Sequence, residues 1–240
     1  MKRINYSWKL PPEILKRLGN NTYGRQRVIH EVDHILIILH KPPSPDSHER
    51  ESVVFLYTPA GEFVCNGKHN GKNKLLELIE EYRALYDSLD ARFDEANELE
   101  SLFEIIKHLT PLTRAANNMA QTMQAAREIL KDNDLILTVR DESHDIARAI
   151  ELLFHDAKAT LDYRIALHLE AQTKKTQQIA QAQHKLNILA AFTFPLMALA
   201  TLFGANLHHG LEGLHPVFFV VFVFIALTIG NLVKMWVSKE

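Results

Sequence analysis

Cysteine occurs once in this chain, at Cys65. A single thiol excludes an internal disulfide framework and any multi-cysteine metal centre within one copy. A surplus of either charge is also missing: the formal net charge is -2 over 240 residues, so bulk electrostatics does not point to nucleic acid. Glycine is absent from Lys72 to Phe203, where the only prolines are Pro111 and Pro195. A chain without those two breakers over such a distance is read as helical. Between Lys185 and Lys234 there is no lysine or arginine, and Glu212 is the only acid. So abrupt a loss of charge predicts a water-soluble amino-terminal part and a membrane-embedded carboxyl-terminal part. No nucleophile-base constellation and no phosphate loop is present, so the chain is not read as an enzyme. The start, MKRINYSWKLPPEILKRLG, is basic but has no apolar run, so it is not read as a secretory signal.

Glycine and proline concentrate between Pro11 and Gly71, with strand-like runs between them, VIHEVDHILIILH from Val28 and ESVVFLYTPAGEFVCNG from Glu51. The second run flanks Thr58-Pro59-Ala60-Gly61, a turn signal, and reads as a hairpin. Residues 1–71 are thus expected to form a small α+β part with three or four strands, Cys65 serving as a small hydrophobe in one of them. Residues 72–140 read as a helical hairpin. Its first helix runs from Asn73 to about Leu109, with Leu75, Leu76, Ile79, Tyr82, Leu85, Tyr86 and Leu89 on one side. Pro111 is expected to open the second helix, which reaches to about Lys131. The acids from Asp87 to Glu100 read as a solvated face.

A third helix is expected over 141–203, starting near Asp141 to Ser143. Ile146, Ile150, Leu153, Ala157, Leu161, Arg164 and Leu167 recur at three- and four-residue steps, a stripe suited to packing on other helices. At 1.5 Å per residue this helix would be about 90 Å long. Its end, LNILAAFTFPLMALATLF, reads as one membrane span, and residues 217–237, VFFVVFVFIALTIGNLVKMWV, as another. Lys174, Lys175 and Lys185 precede the first span, Lys234 and Lys239 follow or end the second, and the connector at 204–216 has no basic residue. The positive-inside rule then places both termini in the cytoplasm and FGANLHHGLEGLHP outside, with Trp236 at the inner interface. An inner or plasma membrane is expected.

This order of elements resembles the CorA family of divalent-cation transporters. The family has a long stalk helix, a first span with a proline near its middle, a Tyr/Phe-Gly-Met-Asn motif, a short outer loop, a second span and a basic tail. Here Pro195 is in place, and Phe203-Gly204-Ala205-Asn206 stands where the motif would be, with Ala205 replacing the methionine. The resemblance implies a mostly helical CorA-like fold and a homopentamer whose first spans line a pore through the bilayer. The implied substrate is a divalent cation, most of all Mg²⁺, with Co²⁺, Ni²⁺ and Zn²⁺ as further candidates, and no other cofactor.

On that resemblance Gly204, Ala205, Asn206 and Glu212 form the outer mouth. The carboxamide of Asn206 would hold a hydrated ion by hydrogen bonds to its water shell. Helical steps place Leu186, Ala190, Phe194, Met197 and Thr201 on one face, which would line the pore, with a ring of Phe194 as the gate. The first span is rich in small residues, and the second reads as uniformly bulky and lipid-facing. Asp145 is the candidate for a regulatory metal ligand. His208, His209 and His215 read as exposed loop residues rather than zinc ligands. The competing reading is a CorA-like membrane-anchored oligomeric scaffold or signalling effector without selective Mg²⁺ transport, which Ala205 and the sparsely acidic loop favour.

Overall fold

A computed structural model describes residues 10–19, 22–44, 50–204, 213, 215 and 217–237; some side chains near the ends of the last two helices lie outside the description. The chain divides into two units, Met1–Ile165 and Ala166–Glu240. It is mostly helical, with one four-stranded sheet in the first unit.

That sheet is an antiparallel meander of β1 (Arg27–Glu31), β2 (His34–His40), β3 (Ser52–Tyr57) and β4 (Phe63–Cys65). Because side chains alternate across a strand, two apolar sets arise from the same residues. Ile35, Ile37, Leu39, Val53, Phe55, Phe63 and Cys65 face the helices, whereas Ile29, Leu36, Ile38, Val54, Leu56 and Val64 join Leu10 and Ile14 on the other side. Ile14 belongs to the short helix α1 (Pro12–Lys16). Both sides of β2 are therefore covered, which accounts for its unbroken apolar run.

The run from Val28 to His40 is two strands rather than one. Glu31 pairs with His34, and the two residues between them, Val32 and Asp33, have φ of 47° and 57°. Left-handed values at both positions suit a two-residue hairpin turn, but Asn-Gly is the usual chemistry for it. A β-branched side chain at positive φ is strained, and that of Val32 is 65% exposed. Val32→Asn is expected to stabilise the first unit by about 1 kcal/mol, measured as a higher urea midpoint.

Helix α2 (Gly71–Glu95) buries Leu75, Leu78, Ile79, Tyr82 and Leu89. Leu85 and Tyr86 pack at the edge of that core, but Leu76 is exposed. The break after α2 falls at Ala96, whose extended backbone ends the helix, and α3 spans Leu99–Ile129 with Pro111 in its interior. Pro111 thus does not open a helix. Its missing N–H and ring clash cost about 3 kcal/mol. Leu102, Ile105, Leu109, Leu112, Ala116 and Met119 are buried on one continuous stripe through it. Each large side chain among them is worth roughly 2 kcal/mol, so packing outweighs the proline.

The third long helix, α4, runs Asp134–Gly204 and begins well before the expected Asp141. Its start is set by Asn133, whose Oδ1 accepts the Ile136 N–H at 3.1 Å. Asn133→Ala is expected to cost about 1 kcal/mol by removing that cap, read by thermal unfolding. Along α4, Ile146, Ile150, Leu153, Ala157 and Leu161 are buried in the core of their own chain. The stripe to Leu161 is therefore used within the chain itself, while Leu167 is exposed.

One polar hub ties the sheet to the helices. The buried His40 donates from Nε2 to the Gly24 carbonyl at 3.0 Å. Its own carbonyl accepts the Tyr82 hydroxyl at 3.1 Å, and Gln26 donates to the Ala115 carbonyl at 2.9 Å. Burial, with Arg50 adding to it, holds the His40 imidazole below its ordinary range, against the opposing effect of the Gly24 hydrogen bond. The unfolded chain therefore takes up this proton at a higher pH than the folded chain does. The stability is fully present above the unfolded value and is lost as pH falls towards the folded one. Amide exchange in β2 and β3 is expected to accelerate between about pH 7.5 and about pH 5.5, after correction for intrinsic rates, and less so in His40→Gln.

Candidate functional site

The second unit contains α4 from Ala166 onward and α5 (Val217–Val237). Residues 166–187 of α4 are exposed throughout. The expected lining residues follow: Leu186 is 65% and Phe194 67% exposed, Met197 and Thr201 are exposed, and Ala190 is half-buried. Because they recur every three or four residues on an unbroken helix, the five share one face. The Thr201 hydroxyl donates to the Met197 carbonyl at 2.8 Å, and Thr193 likewise to Leu189 at 3.0 Å. Threonines in this segment thus satisfy their own donors along the helix.

Helix α5 touches α4 through small residues. Ala226 and Gly230, one turn apart, are its buried positions among the described side chains. A Cβ added to Gly230 would lie 3.0 Å from the Ala191 carbonyl oxygen and 3.1 Å from Cδ1 of Phe192. The carbonyl of Ala191 is the one that residue 195 would bond in an ordinary helix, and Pro195 has no N–H to offer it. The glycine therefore brings α5 against the point where the proline interrupts the α4 hydrogen-bond ladder. Phe218, Val221, Phe224, Ile225 and Ile229 stay exposed. The second apolar segment is thus not uniform. The Ala-x-x-x-Gly spacing that marks its packed side was present in the sequence and hidden among bulky neighbours.

Gly204 is the last residue of α4. Ala205, Asn206, His208, His209 and Glu212 lie outside the described residues. His215 is exposed, and its carbonyl accepts the Phe218 N–H at 2.9 Å, so it serves the start of α5. Asp145 is exposed on α4. Among the described residues no group of three or more His, Cys, Asp or Glu side chains is arranged to hold a metal ion. Arg92, Glu95, Glu98, Glu100, Ser101 and Glu104 line an open cavity where α2 meets α3. Burial pushes the Cys65 thiol up, which makes it a packing residue.

Among the described residues no helix is long and apolar enough to cross a membrane. Both expected spans include side chains outside that set, Leu199, Leu202 and Phe203 in the first and Phe219, Val233 and Trp236 in the second.

No family model matches the chain, and no curated protein matches it. Among solved structures, the full-length CmaX protein is similar with a TM-score of 0.58 at 14% identity, over 97% of this chain and 82% of that one. The CorA magnesium transporter from Methanocaldococcus jannaschii gives a TM-score of 0.41 at 14% identity, over 87% and 78%. The likeness to CmaX is one of fold, and it extends over nearly the whole chain.

Proposed function

We propose that the chain is one subunit of a homo-oligomeric, membrane-embedded divalent-cation channel, with Mg²⁺ the foremost ion and both termini in the cytoplasm. The observation that carries this reading is the exposed apolar surface of the second unit. Outside the seam at Ala226 and Gly230, the described aliphatic and aromatic side chains of α5 and of the end of α4 are largely uncovered. So large a contiguous apolar surface marks a partner or a bilayer. Lipid accounts for α5, and further copies of the chain account for the face carrying Leu186, Phe194 and Met197. Two helices cannot enclose a polar path alone, so a ring of copies is needed, five by the CorA resemblance. Pro195 and the Phe-Gly-Ala-Asn stretch support the same reading.

The test is ion flux through purified protein in liposomes, with oligomeric mass in mild detergent alongside. A pentamer that passes Mg²⁺ is expected. Phe194→Ala should raise the leak of divalent ions by widening an apolar constriction, and Asn206→Ala should abolish ion preference while leaving the oligomer intact. A stable monomer or dimer removes the pore. A pentamer that passes no divalent ion favours the scaffold reading, to which Ala205 at the motif's methionine position gives its support.

A further inference from the structure

Ala191 of α4 and Gly230 of α5, which meet in the seam, stand equally far from the helix ends at Gly204 and Val217 that the connector joins. The two helices therefore run antiparallel there. Ile188, Ala191, Phe192 and Pro195, all half-buried, form the α4 side of the seam, and Ala226 and Gly230 the α5 side. Away from the connector the seam ends in charge, with Lys185 three residues before Ile188 and Lys234 one turn after Gly230. At 1.5 Å per residue Lys185 lies about 9 Å along α4 from Ala191, and Lys234 about 6 Å along α5 from Gly230, so the two stand at nearly one level. Antiparallel helices wind in opposite senses when viewed from one end, which places both lysines on the same flank of the hairpin. Leu189 and Leu227, both exposed, belong to that flank. The face of Leu186 and Phe194 lies on the other side of α4.

Neither lysine has a carboxylate within a turn on its own helix. The sequence has no acid between Glu170 and Glu212 or between Glu212 and Glu240, and Glu170 is paired with Lys174 at 2.7 Å. Two like charges at one level without a counter-charge repel each other until an anion is shared between them. We propose that this flank of the hairpin binds an anionic phospholipid, its phosphate shared by Lys185 and Lys234 and an acyl chain lying along Leu189 and Leu227. Lysine holds phosphate as a point charge on a flexible stem, so two of them need no fixed fork geometry. Both parts of such a molecule are matched, whereas a free phosphate would use the lysines and leave the leucines bare. The inference rests on the membrane setting proposed above and not on ion conduction. It places the lipid beside α5, away from the lining face.

The test counts lipids on the purified full chain in mild detergent by native mass spectrometry, titrating in phosphatidylglycerol or phosphatidylcholine. Phosphatidylglycerol should bind about fivefold tighter, and Lys185→Gln and Lys234→Gln should each lose about that factor. Lys234→Arg should bind as wild type does. Lys175→Gln removes an exposed charge about 15 Å further along α4 and should change nothing. Equal affinity for the two lipids, or as large a loss in Lys175→Gln as in Lys185→Gln, overturns the site. Displacement of the lipid by millimolar inorganic phosphate makes it a small-anion site and overturns the lipid. A changed oligomeric mass in Lys185→Gln with lipid binding intact assigns the flank to a second copy and overturns it likewise. Selective phosphatidylglycerol binding by a chain that passes no ion retains the site and rejects the channel. An oligomer that binds neither lipid rejects the site and the membrane setting together.

Discussion

Gly71→Ala is expected to lower the stability of the first unit by about 3 kcal/mol or more, although it adds one methyl group at the first residue of a helix. Gly71 is buried where α2 leaves β4. A Cβ there would sit 2.7 Å from both the carbonyl carbon and the carbonyl oxygen of Phe63, and 2.9 Å from its Cβ. Two of those three atoms are backbone in a strand whose partners are fixed by pairing, Phe63 with Tyr57 and Val64 with Leu56. The methyl cannot be accommodated by a side-chain rotation. Either α2 retreats from the sheet, uncovering Leu75, Leu78 and Ile79, or the ladder between β3 and β4 breaks. Gly24→Ala separates this effect from backbone strain. Gly24 has φ of 80°, but its nearest neighbour would be an Arg27 side-chain atom at 3.8 Å, so left-handed strain alone should cost it about 1 kcal/mol. Urea unfolding of both variants checks the order, and equal losses would remove the close approach at Phe63 as the cause.

The same contrast between local chemistry and packing explains how much of the fold was legible in the sequence. The hairpin around Thr58 to Gly61 was readable because its residues suit a turn, and Cys65 lies buried in β4 as its neighbours imply. The turn at Val32 and Asp33 was not readable. Asp33 tolerates a positive φ, but Val32 before it does not suit one, and the conformation there accompanies the pairing of β1 with β2. Pro111 misled in the opposite direction, because a breaker that costs one hydrogen bond is overruled when the buried stripe runs through it. The real break, at Ala96, carries neither glycine nor proline. Leu76 was drawn to the buried side by its hydrophobicity, whereas helical geometry leaves it in water. The candidate site divides in the same way. Helical spacing was enough to place Leu186, Ala190, Phe194, Met197 and Thr201 on one face, since α4 is continuous there. Which side of α5 packs on α4 depended on two small residues, a signal that apolar density alone conceals.

Gly230→Val should abolish whatever the second unit does while leaving the first unit folded. Gly230 has little room for a side chain: its Cβ position is 3.0 Å from the Ala191 carbonyl oxygen, 3.1 Å from Phe192 Cδ1 and 3.4 Å from Phe192 Cα, so even a methyl needs a neighbour to give way and a branched side chain needs more. The ring could turn away, but the Ala191 carbonyl cannot, being part of α4. A branched side chain must therefore push α5 off α4 along the seam that Gly230 shares with Ala226. That separation removes the close approach to the carbonyl deprived of a donor by Pro195. If the second unit lies in a bilayer, as proposed, water cannot replace a missing partner there and the loss is costly. If the face carrying Leu186 and Phe194 lines a pore, its position in the ring depends on this seam, because α5 is what holds that stretch of α4 from outside. Divalent-ion flux in Gly230→Val should fall by at least about tenfold. The first unit's urea midpoint should remain that of wild type, since the changed contact lies wholly within Ala166–Glu240. Ile229→Val, one residue away on the exposed side of α5, should leave flux unchanged. Two results would remove the seam from the mechanism. One is wild-type flux in an intact Gly230→Val oligomer. The other is an equal loss in Ile229→Val, which would mean that α5 tolerates no change anywhere and that the contact with Ala191 is not what matters.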